Sequence, residues 1–144
     1  MAFVPAAPLL ERLRTRGWRV TPQRRAVAEA LAGEHVHLTA DEVHRRARRS
    51  LPEVSLATVY NTLNELVSMG EIGEVRHTPG PARYDPNVGV VPHHHLLCTT
   101  CGTLFDVDPA AVDAPALRVD DGGSFAVDGV DVLFRGTCAA CLAA

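Results

Sequence analysis

Helix-length amphipathic segments ending in a short hairpin, followed by strand-like segments bracketed by two Cys-x-x-Cys pairs, predict an α+β fold in two domains. At 144 residues the chain is one ordinary domain or two small ones with thin cores. Hydrophobic residues make up 47% of it, enough for globular folding. Met1–Arg14 lacks a positively charged start followed by an apolar run, so no signal peptide is expected. No apolar stretch is long enough to span a bilayer, so no membrane partner is expected. The expected location is cytoplasmic, where thiols stay reduced and paired cysteines favour metal over disulfides.

The first half is read element by element. Leu9-Leu10-Glu11-Arg12-Leu13 starts a short amphipathic helix that Gly17 should end. Thr21-Pro22 opens the next, to about Gly33: Thr caps free N–H groups, and Pro loses nothing at the first helical position. Thr39-Ala40-Asp41-Glu42 has capping-box spacing and opens a helix that Pro52 ends, with Val43 and Ala47 inward. Ser55 caps a further helix in which Leu56, Val59, Leu63 and Leu66 recur at helical spacing until Gly70. Residues 71–76 and 82–85 read as a two-stranded wing joined by the turn Thr78-Pro79-Gly80-Pro81. Helices followed by a hairpin in this order make a winged helix-turn-helix over residues 1–84, and the helix after Ser55 is the natural occupant of a DNA major groove. Residues 85–90 are the expected hinge, and 91–144 a small second domain.

In that second domain, His95–Cys98 and Thr103–Val107 look like strands around a Cys-x-x-Cys-Gly turn. Asp108 to Leu117 can make a short helix despite Pro115. Phe125–Val127 and Val130–Phe134 are strand-like, with Asp128-Gly129 as a hairpin turn or a bulge in one long strand.

Net charge is −3, which by itself argues against nucleic acid, but the distribution reverses that impression. Residues 1–84 carry 12 Arg against 9 acids, and residues 85–144 carry 2 Arg against 8 Asp. A locally basic first half beside an acidic second half suits a DNA-facing module joined to a metal-binding one.

Cys98, Cys101, Cys138 and Cys141 are all the cysteines in the chain. Two such pairs can close a tetrahedral thiolate cage around Zn2+ with no open position, which implies a structural role. Such zinc would staple the last turn of the chain to the central strands. Two disulfides, or a redox dithiol pair, are the competing readings. His93 and His95 are two apart in an extended segment, so both rings share one face while His94 takes the other. Imidazoles and carboxylates suit iron, manganese, nickel or zinc. His37, Asp85 and Asp106 are candidates to complete a second site, although spacing alone cannot supply His37 or Asp85.

The runs Arg19-Val20-Thr21-Pro22-Gln23-Arg24, His37-Leu38-Thr39-Ala40-Asp41 and Ser55 to Leu63 closely resemble the DNA-binding half of the ferric uptake regulator (Fur) family. His93 to Gly102 and the final Cys-x-x-Cys match its metal-binding half, so the resemblance covers about residues 9–141. It implies a homodimeric, metal-dependent transcription regulator, usually a repressor, with residues 91–144 as a small α/β dimerisation domain. The partner is then a palindromic double-stranded DNA operator, and no organic small-molecule substrate is expected. Within the family the chain looks most like the peroxide-sensing repressor (PerR) branch, chiefly through Asp85 and through Asn61 after Val59-Tyr60. That resemblance assigns a regulatory Fe2+ or Mn2+ to His37, Asp85, His93, His95 and Asp106. It also makes His37 or His93 the histidine that iron and hydrogen peroxide would oxidise. A further metal site of some relatives would fall near Pro92, His94, Asp113 and Val130, two of which cannot coordinate, so it should be absent or weak. His35, His44 and His77 have no assigned role and are expected at the surface.

The resemblance implies domain closure as the mechanism. An ion bonded to both halves fixes the separation of two reading heads, and so decides whether a dimer fits its operator. Tyr60 and Asn61 would reach base edges, and Asn can pair bidentately with adenine. A partly buried core ring is the alternative for Tyr60. Arg19 aligns with a basic residue that enters the minor groove, and Ser55 and Thr58 are candidates for phosphate contacts. Self-inactivation by peroxide is not turnover, so no enzyme is expected. Two other functions compete: a sensor of iron, nickel or zinc supply without oxidation chemistry, and a small zinc hydrolase, for which nothing suggests a substrate.

Overall fold

A computed structural model describes residues 8–33, 36–76, 78–86, 93–111, 123–126 and 132–144. Described residues up to Pro86 belong to one compact unit and those from His93 to a second, and the fold is α+β. Among the described residues no helix is long and apolar enough to cross a membrane.

The first unit is a winged helix-turn-helix. It runs α1 (Leu9–Thr15), α2 (Pro22–Ala30), β1 (Leu38–Thr39), α3 (Ala40–Ala47), α4 (Leu56–Ser68), β2 (Gly73–Val75) and β3 (Arg83–Asp85). Each of the three longer helices starts on the cap its sequence signals. The Thr21 hydroxyl accepts from Arg24 N–H at 3.3 Å, and Ser55 accepts from Thr58 N–H at 3.1 Å. Thr39 and Glu42 form a reciprocal capping box, with Glu42 Oε2 accepting from Thr39 N–H at 2.8 Å.

Both α1 and α4 end in a Schellman turn. Gly17 (φ 77°) and Gly70 (φ 73°) take the left-handed conformation that other residues resist. Trp18 N–H then closes on Leu13 carbonyl at 3.0 Å, and Glu71 N–H closes on Leu66 carbonyl at 3.0 Å. The second closure explains why the wing starts late. Glu71 and Ile72 are still donating to Leu66, so β2 begins at Gly73 and not at residue 71. α2 likewise ends at Ala30, short of the expected Gly33.

The core is the apolar stripe of each helix turned toward the others. Leu13, Val27, Leu31, Val43, Val59, Leu63 and Leu66 are fully enclosed, and Trp18 and Leu51 pack against the same cluster from partly exposed positions. The wing gains a strand that the sequence reading lacks. β1 pairs antiparallel with β3 (Leu38 opposite Tyr84), giving a sheet ordered β1-β3-β2. Asp85 is therefore the last strand residue, paired with Gly73, where the hinge was expected to begin.

The second unit is a sheet ordered β5-β4-β6, made of β4 (His94–Cys98), β5 (Leu104–Val107) and β6 (Leu133–Gly136), with a terminal helix α5 (Ala139–Leu142). β5 is antiparallel to β4, and β6 is parallel to it. The expected helix from Asp108 is a single 3-10 turn, Pro109–Ala111, started by Asp108 Oδ1 accepting from Ala110 N–H at 2.8 Å. Residues 112–117 lie outside the described residues. Phe125 and Ala126 are exposed and not in a strand, residues 127–131 lie outside the described residues, and the last described strand starts at Leu133. The helix α5, four residues long, has no sequence signal.

Arg12 of α1 and Arg16, which caps its end, both bond the Glu71 carboxylate, at 3.2 and 2.8 Å, and tie α1 to the chain leaving α4. Burial alone would raise the Glu71 pKa, but the hydrogen bonds from Arg16 and Arg12 outweigh it and hold the carboxyl below its ordinary value. A lowered folded pKa gives stability that is present above the unfolded pKa and lost as pH falls through the folded one. Glu71→Gln should therefore lower the melting temperature near neutral pH, by ~1–2 kcal/mol of stability. In thermal melts the gap to the unmodified protein should close as pH drops below about 4.

Candidate metal centres and nucleic-acid interface

The four cysteines converge in the second unit. Cys98 ends β4, Cys101 sits in the turn before β5, and Cys138 and Cys141 cap and lie within α5. Their sulfur atoms all lie within 4.8 Å of one another, and the Cys98–Cys141 and Cys101–Cys138 pairs are 3.9 Å apart. None is in a disulfide. Zinc–thiolate bonds of ~2.3 Å in a tetrahedron put the sulfurs ~3.8 Å apart, so the donor set fits a structural zinc by chemistry and by size.

The backbone prepares the cage for anionic sulfur. Gly102 (φ 74°) lets its N–H reach back to Cys98 carbonyl at 2.8 Å, and Cys138 N–H points at Cys98 Sγ at 3.3 Å. Hydrogen bonds from the Cys101 and Cys138 backbones lower the Cys98 pKa to about 6, whereas sharing with Cys138 and then Cys101 raises Cys141 to about 12. The cage thus favours the thiolate at Cys98, and a cation binding to all four sulfurs would have to displace the proton shared around Cys141. Thr99 N–H also bonds Gly136 carbonyl at 2.8 Å, which fastens the first cysteine turn to β6.

The remaining chelating residues form one group in each unit. In the first, His37 Nε2 lies 3.1 Å from Asp85 Oδ2, both side chains buried. The β1–β3 register continues one residue to set His37 opposite Asp85. In the second, His95 is opposite Asp106 across β4 and β5. Asp106 Oδ1 is 3.1 Å from His93 Nε2 and 3.6 Å from His95 Nε2. The His93 and His95 rings meet edge to face, 4.8 Å between centroids, as the two-residue spacing requires.

His94 turns elsewhere. Its Nδ1 accepts from Val132 N–H at 3.2 Å and holds the entry to β6. Of the other positions named for a further metal site, Pro92, Asp113 and Val130 lie outside the described residues, as do His35 and His77. His44 is not a plain surface residue: it is half-buried, and its Nε2–H donates to Val54 carbonyl at 2.9 Å, bracing the turn before α4.

On α4, Val59 is fully buried while its neighbour Tyr60 is 42% exposed, so Tyr60 is not a core ring. Asn61 is exposed beside it, and Asn64 shares that face at helical spacing, a member the sequence reading missed although the i, i+3 pattern marks it. Ser55 directs its hydroxyl hydrogen to Thr58 Oγ1 at 2.9 Å while capping the helix. Arg19 is exposed in the loop after α1.

Comparisons with known proteins agree with this architecture. Residues 15–132 match the Ferric uptake regulator family. The ferric uptake regulation protein 1 of Mycolicibacterium fortuitum is 41% identical over 122 residues, 85% of this chain and 74% of that protein. The peroxide-responsive repressor of Staphylococcus aureus (strain USA300) is 36% identical over 94 residues, 65% of this chain and 62% of that protein. A solved zinc-bound manganese uptake regulator superposes with a TM-score of 0.72 at 26% identity, covering 92% of this chain and 99% of that one.

The cage makes a direct prediction. Cys98→Ser or Cys138→Ser should release zinc and lower the melting temperature sharply, because structural zinc contributes on the order of 10 kcal/mol of apparent folding energy. Metal analysis with thermal melts checks it, and unchanged stability would refute the staple.

Proposed function

This chain belongs to the ferric uptake regulator family of metal-dependent DNA-binding regulators, which are not enzymes, and on that premise we propose that it represses transcription in response to the supply of iron or manganese. One observation carries the reading: chelating side chains are gathered in both units, His37 with Asp85 in the winged-helix unit and His93, His95 and Asp106 in the other. We propose that a single regulatory Fe2+ or Mn2+ takes all five. Two imidazole–carboxylate groups of this kind suit those metals better than a purely thiophilic one.

When bound, such an ion supplies bonds that favour whichever arrangement of the units lets both groups reach it. Its leverage equals its preference for that arrangement, and moving a population from 1:99 to 99:1 takes about 5.5 kcal/mol. His37 and Asp85 carry the winged-helix share of that preference. On the DNA side, Tyr60 and Asn61 would read base edges, Ser55 and Thr58 would meet phosphates, and Arg19 would enter an adjacent minor groove.

We propose a homodimer on a palindromic operator, so that two α4 helices meet two half-sites. The second unit supports this by what it leaves uncovered. Leu96 pairs with Phe105 on one side and Phe134 on the other, an apolar row across all three strands, with exposures of 42%, 38% and 37%. A sheet whose described core holds little besides Leu97, Cys98 and Leu104 gains from covering such a row with its own copy.

Peroxide sensing is the second reading, favoured by Asp85 in the proposed ligand set, by Asn61 on α4 and by the Staphylococcus aureus relative. Metal supply ranks first because the ferric uptake relative is more similar over more of the chain. Loading the protein with ferrous iron, adding sub-stoichiometric peroxide and mapping peptides by mass separates them. The supply reading expects no added oxygen on any histidine and surviving DNA binding, whereas oxygen on His37 or His93 with loss of binding would install the peroxide reading in its place.

Asp85→Ala should abolish metal-activated DNA binding while zinc content stays near about one per chain, since the cage is a separate closed site. Gel shifts with and without manganese, alongside metal analysis, test this; loss of zinc would mean that the two sites are one.

A further inference from the structure

Four contacts converge on Arg24, none of them needed for the core. The Schellman turn at Gly17 delivers Trp18 and Arg19 to the start of α2, where Arg24 occupies the first turn. Arg24 Nη1 donates to the Arg19 carbonyl at 2.9 Å. Its Nη2 lies 2.9 Å from both carboxylate oxygens of Glu65 on α4. The guanidinium stacks over the Trp18 ring at 4.6 Å, and Trp18 Nε1–H donates to Glu65 Oε1 at 2.9 Å. The loop from Trp18 to Arg19 is thereby fastened to α4 through the Trp18 ring and the Arg19 carbonyl, with Arg24 and Glu65 as the links.

We propose that Arg24, Glu65 and Trp18 form a clamp whose work is to aim Arg19, setting how far the minor groove is read beside the site that α4 reads. The proposal rests on the reading of Arg19 as a groove residue. Arg19 offers the clamp its backbone carbonyl, and its side chain is exposed. A groove contact depends on where that guanidinium stands relative to α4, and an unfastened loop would lose ordering entropy on every binding event. Stability is a poor explanation for the cluster. The Arg24 and Glu65 side chains are 29% and 36% exposed, and ion pairs so placed contribute little to folding. Arg suits the task where Lys would not, because one planar fork serves a carboxylate, a carbonyl and a ring face together.

The test uses the full-length, manganese-loaded protein and the variants R19A, R24K and E65Q, each selected against the same randomised duplex library. The unmodified protein should prefer A·T over G·C by on the order of tenfold at positions flanking those read by α4, and R19A should remove that preference. R24K and E65Q should cut the flanking preference at least about threefold and leave preferences at the α4 positions unchanged. Trp18 is the only tryptophan of the chain, so its emission should shift in E65Q without DNA. The clamp is overturned if R19A acts while R24K and E65Q keep the full flanking preference, if they weaken all positions equally, or if the emission does not move. If R19A itself keeps the flanking preference, the groove reading of Arg19 fails and takes the clamp with it.

Discussion

The pairing of β1 with β3 is the constraint on which the winged-helix unit turns. Two residues of strand are enough to bring the segment before α3 against the end of the wing. That contact sets His37 beside Asp85, residues 48 apart in sequence, and buries both. A carboxylate with 0% exposure is costly unless it is partnered, so the register is enforced by electrostatics as well as by the ladder. The helices and the metal-ligand candidates are thus not independent designs. The capping box that starts α3 begins at Thr39, the last residue of β1, so one short stretch ends a strand, starts a helix and fixes a candidate ligand.

The second unit solves a different problem. Its described apolar core is small, and one face of its sheet carries an uncovered row of Leu96, Phe105 and Phe134. Cross-linking by metal is the usual answer for a domain with so little to bury. Here the cage joins the end of β4, the turn before β5 and α5, so it ties together elements that lie far apart along the chain. Hydrogen bonds from the backbone to Cys98 favour the thiolate before any cation arrives, whereas Cys141, held up by sharing with Cys138 and Cys101, must shed its proton on binding, which ties metal uptake to proton release.

Much of this was legible in the residues. Thr21-Pro22, Thr39 to Glu42 and Ser55 mark helix starts because caps are local chemistry, and the structure puts a helix at each. The matched Cys-x-x-Cys pairs announce the cage because each pair brings two thiols to one turn, and the structure gathers all four sulfurs with no disulfide between them. The His93/His95 face follows from strand periodicity alone. What escaped is long-range or very short. β1 has two residues and no pattern of its own, and α5 is a single turn. The bonds of Arg24 to Glu65 join residues 41 apart, and nothing in a linear reading pairs them. The late start of β2 escaped because the Schellman turn claims the N–H groups that an alternating pattern assigns to a strand.

The cage has one more consequence. All four cysteines of the chain belong to it, so with zinc in place nothing remains to trade with glutathione or to form a mixed disulfide. A thiol buffer would then find no free cysteine on this chain to pair with. Oxidation of those sulfurs would take away the cross-link between the strands and the last helix of the smaller unit, and restoring it would need both reduction and fresh zinc.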